Sequence, residues 1–362
     1  MVDYKNPQLI IESSKTNEGE ITWRSPSNIA IIKYWGKYGR QLPKNPSISF
    51  TLNEAFSETT VKYAPKNNVD QGIEVDFYFE GQPNEAFRAK IVKFLDGIID
   101  IFPFLRQLKF EIHSRNSFPH SAGIASSASA MSALSLCLCT IEHEIFGTLP
   151  NDKDYEQKAS YIARLGSGSA CRSIYAQAAI WGESGEVEGS SNLYAIPYAE
   201  QMHEVFSTFH DDILIVSKAE KSVSSRAGHA LMDGNLYADN RYLQARQRFH
   251  NLLSILKKGD VEAFGRIAES EALTLHALMM TSNPPYLLMR PNTLQIIEKV
   301  QQFRKDTQQP LYFTLDAGPN IHLLYPDESK IAVQSFIHNE LKQYCEDGTV
   351  LSDFVGEGPV QV

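Results

Sequence analysis

Short runs in which apolar and polar residues alternate fill the first part of the chain. Four of these runs are rich in β-branched and aromatic residues and are separated by Gly, Pro and Asn: 21–26, 47–52, 58–65 and 73–83. This pattern predicts strands. In 84–102 the apolar residues instead recur at helical spacing: Phe87, Ile91, Phe94, Leu95 and Ile98. A helix is therefore predicted there, and 108–114 returns to a strand pattern.

The second part of the chain shows longer helical patterns. A strand is predicted at 212–217, and a helix over 239–258 ends at Gly259. The apolar stripe of that helix consists of Tyr242, Ala245, Phe249, Leu252 and Leu256. Four further elements are predicted: a helix at 260–280, a strand at 321–325, a helix at 329–344 and a strand at 350–362.

One carboxylate, Asp316, ends an apolar run directly before a turn of Ala, Gly, Pro and Asn. Two sets of side chains alternate along this run, Leu311, Phe313 and Leu315 in one and Tyr312, Thr314 and Asp316 in the other. Asp316 should therefore lie on the face opposite the first set. Local sequence leaves two interpretations open, a turn-forming Asp or a chemical group.

Length and composition indicate a globular protein with two domains. The chain has 362 residues, of which 43% are hydrophobic and 10% aromatic, so it can bury a large core. We find no repeats or low-complexity tracts. The border is predicted near residue 200, between a domain of 1–204 and a domain of 205–362.

Charge and hydropathy exclude several classes of partner. The net charge of −9 argues against nucleic-acid binding, which needs a surplus of clustered Lys and Arg. No apolar stretch approaches the roughly 18 residues of a membrane span, and the polar N-terminus is unlike a signal peptide. We expect a cytoplasmic protein. The cysteines lack metal-ligand spacing and are expected to be buried free thiols: Cys137, Cys139, Cys171 and Cys345.

Two small-residue loops suit anionic ligands. A Pro- and Gly-containing loop at 118–125 leads into Ser126, Ser127 and a long helix, and a helix N-terminus offers unpaired N–H groups to phosphate. A plain Ser N-cap is the alternative. The loop lacks the Walker pattern. In 163–175, Gly and Ser residues precede Arg172, which could hold a carboxylate with two hydrogen bonds or could be a surface residue of a helix–helix turn.

Two further stretches offer cations and hydroxyls. Lys33 directly follows an Ile-rich run, so its stem should be buried and its ammonium aimed at a specific group, unless it only snorkels from a strand edge. Ser224 and Ser225 stand beside Arg226, an arrangement that a helix cap explains equally well. Together these stretches suggest ATP-dependent chemistry on an anionic small molecule.

Six stretches together resemble the diphosphomevalonate decarboxylase (mevalonate 5-diphosphate decarboxylase) family of the GHMP kinase superfamily. They are NIAIIKYWGK at 28–37, NPSISFTL at 45–52, FPHSAGIASSAS at 118–129, RLGSGSACRS at 164–173, FTLDAGPN at 313–320 and VGEGP at 355–359. The resemblance covers nearly the whole chain. It implies an α+β fold of two domains, a ribosomal protein S5 domain 2-like N-terminal domain and a ferredoxin-like C-terminal domain, with the active site between them.

The same resemblance implies a reaction and a set of residue roles. ATP phosphorylates the tertiary hydroxyl of mevalonate 5-diphosphate and leaves as ADP, and loss of phosphate and carbon dioxide from the phosphorylated intermediate then yields isopentenyl diphosphate. Asp316, Lys33 and Arg172 would be catalytic, with Arg172 on the substrate carboxylate. The other implied substrate contacts are Asn28, Tyr34, Lys37, Ser169 and Arg226. The implied ATP-phosphate contacts are Gly123, Ile124, Ala125, Ser126, Ser127, Ala128 and Ser225, with Mg2+ held through the phosphates and possible help from Ser127. A homodimer is also implied.

Departures from the family pattern leave alternatives open. His120 stands where family members often have Thr, and a surface imidazole is the favoured interpretation. The basic residue that some members supply from the helix at 84–102 could be Arg88, Lys90 or Lys93. The substrate could therefore be the diphosphate or the monophosphate. A mevalonate 3-kinase on the same fold and a non-catalytic nucleotide-binding protein are the remaining alternatives.

Overall fold

The computed structural model describes residues 3–12, 18–66, 72–119, 124–219 and 223–362. The strands of these ranges are β1 Gly19–Ala30, β2 Lys37–Tyr38, β3 Leu42–Pro43, β4 Ser47–Pro65, β5 Glu74–Phe79, β6 Gln82–Pro83, β7 Leu108–Asn116, β8 Ala178–Trp181, β9 Ala195–Pro197, β10 His210–Leu214, β11 Tyr312–Thr314, β12 Ile321–Tyr325, β13 Val350–Phe354 and β14 Val360–Gln361. The α-helices are α1 Glu85–Asp96, α2 Ser126–Phe146, α3 Asp152–Gly166, α4 Ser225–Ala230, α5 Ala238–Lys258, α6 Val261–Met280, α7 Pro291–Thr307 and α8 Lys330–Phe336. The predicted α+β composition is confirmed.

The first sheet has the order β14-β1-β4-β7-β5-β6, and β8 with β9 extends it beside the first half of β4. β4 is one strand of 19 residues, so the prediction of two separate strands at 47–52 and 58–65 is wrong. A bulge opposite Pro26 and Asn28 accommodates the polar residues between the two halves. The Asp353 carboxylate accepts hydrogen bonds from three backbone N–H groups in this bulge, at 2.8 to 2.9 Å.

The second sheet is antiparallel, with the order β11-β12-β10-β13. Helices α5 and α6 cover one face, where Phe249 and Phe264 pack with Ile213. Helices α7 and α8 cover the other face, where Val300 and Phe336 pack with the Leu, Ile and Phe side chains of β11 and β12. All residues of the predicted stripe of α5 are buried, and Gly259 ends that helix in the left-handed conformation.

The last strand prediction is wrong in its extent. Residues 350–362 form two strands, β13 in the second sheet and β14, which pairs with β1 of the first sheet. The break follows from two glycines, because a Cβ on Gly356 would lie 2.4 Å from the Leu52 carbonyl oxygen and Gly358 has a φ of +95°. The chain thus crosses back to the first sheet at its end, and the border at 204 stays a prediction.

The predicted helix at 329–344 also changes its winding. Its α-helical part ends at Phe336, and a π-helical turn at Ile337–Leu341 and a 3-10 turn at Lys342–Tyr344 follow.

All four cysteines are free and buried, as predicted. Within the described ranges, no helix has the length and apolar character that crossing a membrane requires.

An aromatic cluster joins the two sheets and fixes the geometry of the site. Phe50 of β4 stacks on Phe264 of α6 with ring centroids 5.5 Å apart, and Phe206 and Phe209 complete the cluster. Stacked and edge-on rings add to the free energy of burying so much apolar surface. β4 is therefore held against α6, beside the C-terminal end of β1, where Ile29 pairs with Phe50.

Candidate functional site

Lys33 and Asp316 form an ion pair at the junction of the two sheets. Lys33 follows β1 and Asp316 follows β11, and Lys33 Nζ lies 3.0 Å from Asp316 Oδ1. The side chain of Lys33 is 2% exposed and that of Asp316 is 28% exposed, so the carboxylate is the accessible member of the pair. A buried ammonium at this distance stabilises negative charge on the carboxylate. The predicted proximity of the two groups is confirmed.

Arg172 is a buried cation held by neutral groups. Its Nε donates to Ser49 Oγ at 3.0 Å and to Asn28 Oδ1 at 3.3 Å, and Nη1 donates to Ser47 Oγ at 2.7 Å. In the part of the chain that the structure describes, no carboxylate lies within 4.0 Å of its nitrogens, although Asp316 is close enough to act on its charge. Burial lowers the pKa of the Arg172 guanidinium, since the charged form loses its hydration.

The surface-residue interpretation of Arg172 is thus wrong. Helix α3 ends at Gly166, and the residues after it form a 3-10 helix, Gly168–Ile174, that carries Arg172 inward. Asn28 Nδ2 donates to the Ser169 carbonyl at 3.2 Å and to Ser173 Oγ at 2.7 Å. A buried guanidinium without an anionic partner is energetically costly, so a ligand carboxylate would find its charge partner here.

Tyr34 and Lys37 follow Lys33 closely in the chain, and Arg226 is near enough to Lys37 to act on its charge. The Tyr34 hydroxyl is buried and makes no hydrogen bond to the described residues, while its ring packs edge-on against Trp181 at 4.6 Å. Lys37 Nζ donates to Gln41 Oε1 at 2.9 Å. Burial and the positive charge of Arg226 lower the pKa of Lys37. Two cations that act on one another, beside an unsatisfied hydroxyl, form a group suited to phosphate oxygens.

The loop before α2 supplies a second set of donors. α2 begins at Ser126, and its N-cap, Ala125, has a left-handed φ of 46° and makes no side-chain capping bond. The plain Ser N-cap interpretation is therefore wrong, and among the described residues no N-cap side chain bonds the first N–H groups of the helix. Ser27 Oγ of β1 anchors the loop through the Ile124 carbonyl at 2.6 Å. Ser127 is exposed, with its Oγ 3.3 Å from Ser167 Oγ, whereas Ala128 is buried.

Other predicted residues are placed less centrally. Ser225 is exposed at the start of α4, and Ser224 is the cap, accepting from the Ala227 N–H at 3.2 Å. Of the three basic candidates on α1, Arg88 pairs with Glu85 and the Lys90 ammonium lies over the Phe87 ring. Lys93 lies in the last turn of α1. Gly123 and His120 lie outside the described residues.

Sequence reasoning missed His229, which ties α4 to the site. Its ring lies between Tyr34 and Trp35, with centroids 4.5 and 4.6 Å away, and its Nδ1 accepts from the Gly36 N–H at 3.0 Å. Burial, with a smaller effect from the Lys37 charge, lowers the pKa of His229 to about 3. The ring is therefore neutral at physiological pH and holds the segment that carries Tyr34 and Lys37.

His229 should make stability depend on pH. Its pKa is about 3 in the fold against 6.5 for an unperturbed histidine, so below pH 6.5 the unfolded chain binds the extra proton. The stability of the wild type relative to His229→Gln should therefore fall by about 2 kcal/mol between pH 7.5 and pH 5. Urea unfolding of both proteins at the two pH values measures this difference, and a pH-independent difference would contradict it.

Sequence reasoning also missed a group of buried residues behind Lys33. They are Glu271 and His276 of α6 and Arg241 and Arg248 of α5, with Arg248 the most exposed of them. A glutamate within the apolar pattern of α6 was the available signal. Its partner could not be found by spacing, because the Lys33 N–H that it accepts from lies 238 residues away.

Comparisons with known proteins identify the family of this chain. Residues 25–193 match the family model of the diphosphomevalonate decarboxylase-like N-terminal domain, and residues 212–357 match that of the mevalonate 5-diphosphate decarboxylase C-terminal domain. Diphosphomevalonate decarboxylase of Ganoderma lucidum is 30% identical over 326 residues, which are 85% of this chain and 79% of the relative.

Solved structures are similar over almost the whole chain. Mevalonate diphosphate decarboxylase from Staphylococcus aureus has a TM-score of 0.80 at 26% identity, covering 96% of this chain and 98% of that one. A protein named MDDEF, in complex with MVAPP, AMPPCP and magnesium, has a TM-score of 0.79 at 28% identity, covering 96% of this chain and 99% of that one. These likenesses confirm the predicted two-domain α+β fold.

Proposed function

Because the chain belongs to the diphosphomevalonate decarboxylase family, we propose that it catalyses the ATP-dependent decarboxylation of mevalonate 5-diphosphate to isopentenyl diphosphate. ADP, phosphate and carbon dioxide are the other products. The observation that carries the proposal is the combination of an accessible Asp316, paired with buried Lys33, and a buried Arg172 that has no carboxylate partner within 4.0 Å among the described residues. The reaction needs a base, a cation beside it and an anchor for a substrate carboxylate.

Asp316 acts on the tertiary hydroxyl of the substrate. Its carboxylate, in a side chain that is 28% exposed, orients this hydroxyl and accepts its proton as the oxygen attacks the transferred phosphoryl group. The Lys33 ammonium stays in place through the step and stabilises the negative charge that develops at the reacting oxygens. Because Lys33 is held rigidly, little reorganisation is needed when charge moves.

Arg172 orients the carboxylate that is lost as carbon dioxide. Asn28, Ser47 and Ser49 hold the guanidinium in one orientation through neutral acceptors, which leaves its charge available to the substrate. The binding energy of the substrate carboxylate thus offsets the entropy that the substrate loses when it is oriented for reaction. The departing phosphate and the breaking carbon–carbon bond can then be kept aligned.

The phosphate groups of the substrate and of ATP would be bound by two separate sets of residues. Tyr34, Lys37 and Arg226 would bind the substrate diphosphate. The backbone from Gly123 to Ala128, with Ser126, Ser127 and Ser225, would bind the ATP phosphates, for which the N-terminus of α2, without a side-chain cap from Ala125, offers N–H donors. Mg2+ would neutralise charge on those phosphates, and the exposed Ser127 hydroxyl is the side chain placed to contact it.

The monophosphate alternative is tested by measuring ADP release with each substrate side by side. The cations Lys37 and Arg226 and the unsatisfied Tyr34 hydroxyl favour the diphosphate, because a second phosphate gives each of these groups a partner. We expect a higher kcat/KM for the diphosphate. A higher kcat/KM for the monophosphate would make the protein a phosphomevalonate decarboxylase.

Arg172→Met should separate substrate binding from stability. Loss of charge-assisted hydrogen bonds to the substrate carboxylate should raise the KM for mevalonate 5-diphosphate about a hundredfold, with little change in ATP binding. The melting temperature should change by only a few degrees, because removal of a buried cation offsets the loss of its hydrogen bonds to Asn28, Ser47 and Ser49. Steady-state kinetics measures the KM and thermal unfolding measures the melting temperature. An unchanged KM for mevalonate 5-diphosphate would show that Arg172 does not bind the substrate carboxylate.

We also propose that the enzyme is a homodimer, which the family resemblance implies, and that it is cytoplasmic, as expected from the sequence. Sedimentation equilibrium of the purified protein tests the assembly, and a monomer at micromolar concentration would exclude it. Fractionation of cells with an antibody to the chain tests the location.

A further inference from the structure

Helix α6 contacts the backbone on both sides of the Lys33–Asp316 pair. Glu271 Oε2 accepts from the Lys33 backbone N–H at 2.9 Å, and His276 Nε2 donates to the Asp316 carbonyl at 3.1 Å. The two side chains stand five residues apart on one helix, so a single rigid element holds the backbone of both members. We infer that α6 sets the geometry of the pair, with Glu271 and His276 as positioning residues for the proposed reaction, on which this inference rests.

Lys33 depends on side chains for its backbone hydrogen bonds. It lies beyond Ala30, the last residue of β1, and its N–H is bound by Glu271. Its carbonyl accepts from Asn45 Nδ2 at 3.2 Å and from Arg241 Nη2 at 3.5 Å. A buried backbone group without a partner is unfavourable, so these contacts fix the peptide where the sheet no longer does. The ammonium that meets Asp316 starts from this fixed peptide.

Glu271 is itself held by two arginines. Arg241 donates to both carboxylate oxygens, at 2.8 and 2.5 Å, and Arg248 Nη1 donates to Oε1 at 2.9 Å. Burial alone would raise the pKa of Glu271, but these cations outweigh it and keep the pKa below its usual range. With four hydrogen bonds and no exposed surface, the carboxylate has one orientation. Because Glu271 is fixed by α5, its hydrogen bond in turn fixes the position of the Lys33 peptide.

The same helix provides a matched control. Glu269 lies two residues before Glu271 and pairs with Arg304 of α7, at 2.7 and 3.1 Å, rather than with the Lys33 segment. It is 9% exposed. Glu269→Gln and Glu271→Gln therefore each remove one nearly buried carboxylate from α6, and only the second touches the peptide of Lys33.

The test compares kinetics and crystal structures of the two variants. In Glu271→Gln, kcat should fall by about tenfold to a hundredfold while the KM values for ATP and substrate change by less than about twofold, because small displacements at the reacting groups are costly. Its crystal structure should show the Lys33 peptide displaced and the 3.0 Å contact of Nζ with Asp316 lengthened. Glu269→Gln should lose stability but keep kcat and the contact. A Glu271→Gln enzyme with wild-type kcat and an unmoved Lys33 would overturn the inference.

If the Glu271→Gln protein does not fold, a second pair of variants tests the same inference. His276→Leu removes the donor to the Asp316 carbonyl, whereas His276→Gln keeps an N–H donor. We expect loss of kcat with Leu and recovery with Gln, and equal kcat values for the two would overturn the inference. Crystal structures separate this result from the proposed function, because displacement of the pair can be seen even if the wild type releases no carbon dioxide.

Discussion

Asp316→Asn should lower kcat about a thousandfold, because the amide cannot accept the proton of the substrate hydroxyl. The change keeps the size of the side chain and leaves the loop before α2, which we propose binds the ATP phosphates, untouched. ATP binding, measured by calorimetry, should therefore stay close to the wild-type value. Lys33 would lose its charge partner, so a moderate loss of stability should accompany the loss of turnover.

Asp347→Asn is the matched control for this variant. Asp347 pairs with Lys218 at 2.9 Å in the same half of the chain, and its side chain is 77% exposed. An exposed ion pair contributes little to stability, so turnover and melting temperature should both remain near wild type. Substantial turnover by Asp316→Asn would show that the carboxylate is not the base.

Lys33→Met should lower kcat about a hundredfold or more by removing the cation that stabilises charge at the reacting oxygens. Methionine fills a similar volume, so the packing around the 2% exposed stem should be retained. Asp316 would still be present but without its buried partner. The loss should therefore appear mainly in kcat, with a smaller effect on the KM for either substrate.

Lys158→Met controls for the loss of a buried lysine. Lys158 pairs with Glu142 in the first half of the chain, with side-chain exposures of 4% and 2%. Breaking this pair should reduce stability by about 3 to 5 kcal/mol, because Glu142 is left as a buried charge. Its kcat, measured below the unfolding transition, should not change. If Lys33→Met behaved in the same way, Lys33 would be structural only.

Local sequence predicted the elements of the fold better than their limits. The stripe of α5 and the end of that helix at Gly259 followed from periodicity and the left-handed preference of glycine. The continuity of β4 did not, because its middle is stabilised by Asp353, whose carboxylate bonds residues about 300 positions away. Long-range caps of this kind leave no local pattern.

The candidate site shows the same division. Alternation along 311–316 predicted only a face for Asp316, and its partner Lys33 lies 283 residues away and entered only through the family resemblance. Glu271 and His229 act by contacts that form once the sheets are packed, one on the Lys33 peptide and one on Gly36. Single-residue chemistry could be predicted where a motif carried it, whereas the supporting contacts required the fold.

The most direct test of the central claim is the ratio of carbon dioxide to ADP. Purified protein is incubated with mevalonate 5-diphosphate, ATP and Mg2+, and both products are measured in the same samples. A decarboxylase in which Asp316 and Lys33 drive phosphorylation and Arg172 orients the departing carboxylate should release them in equal amounts. ADP without carbon dioxide would indicate a 3-kinase, and the absence of both products would indicate a non-catalytic nucleotide-binding protein.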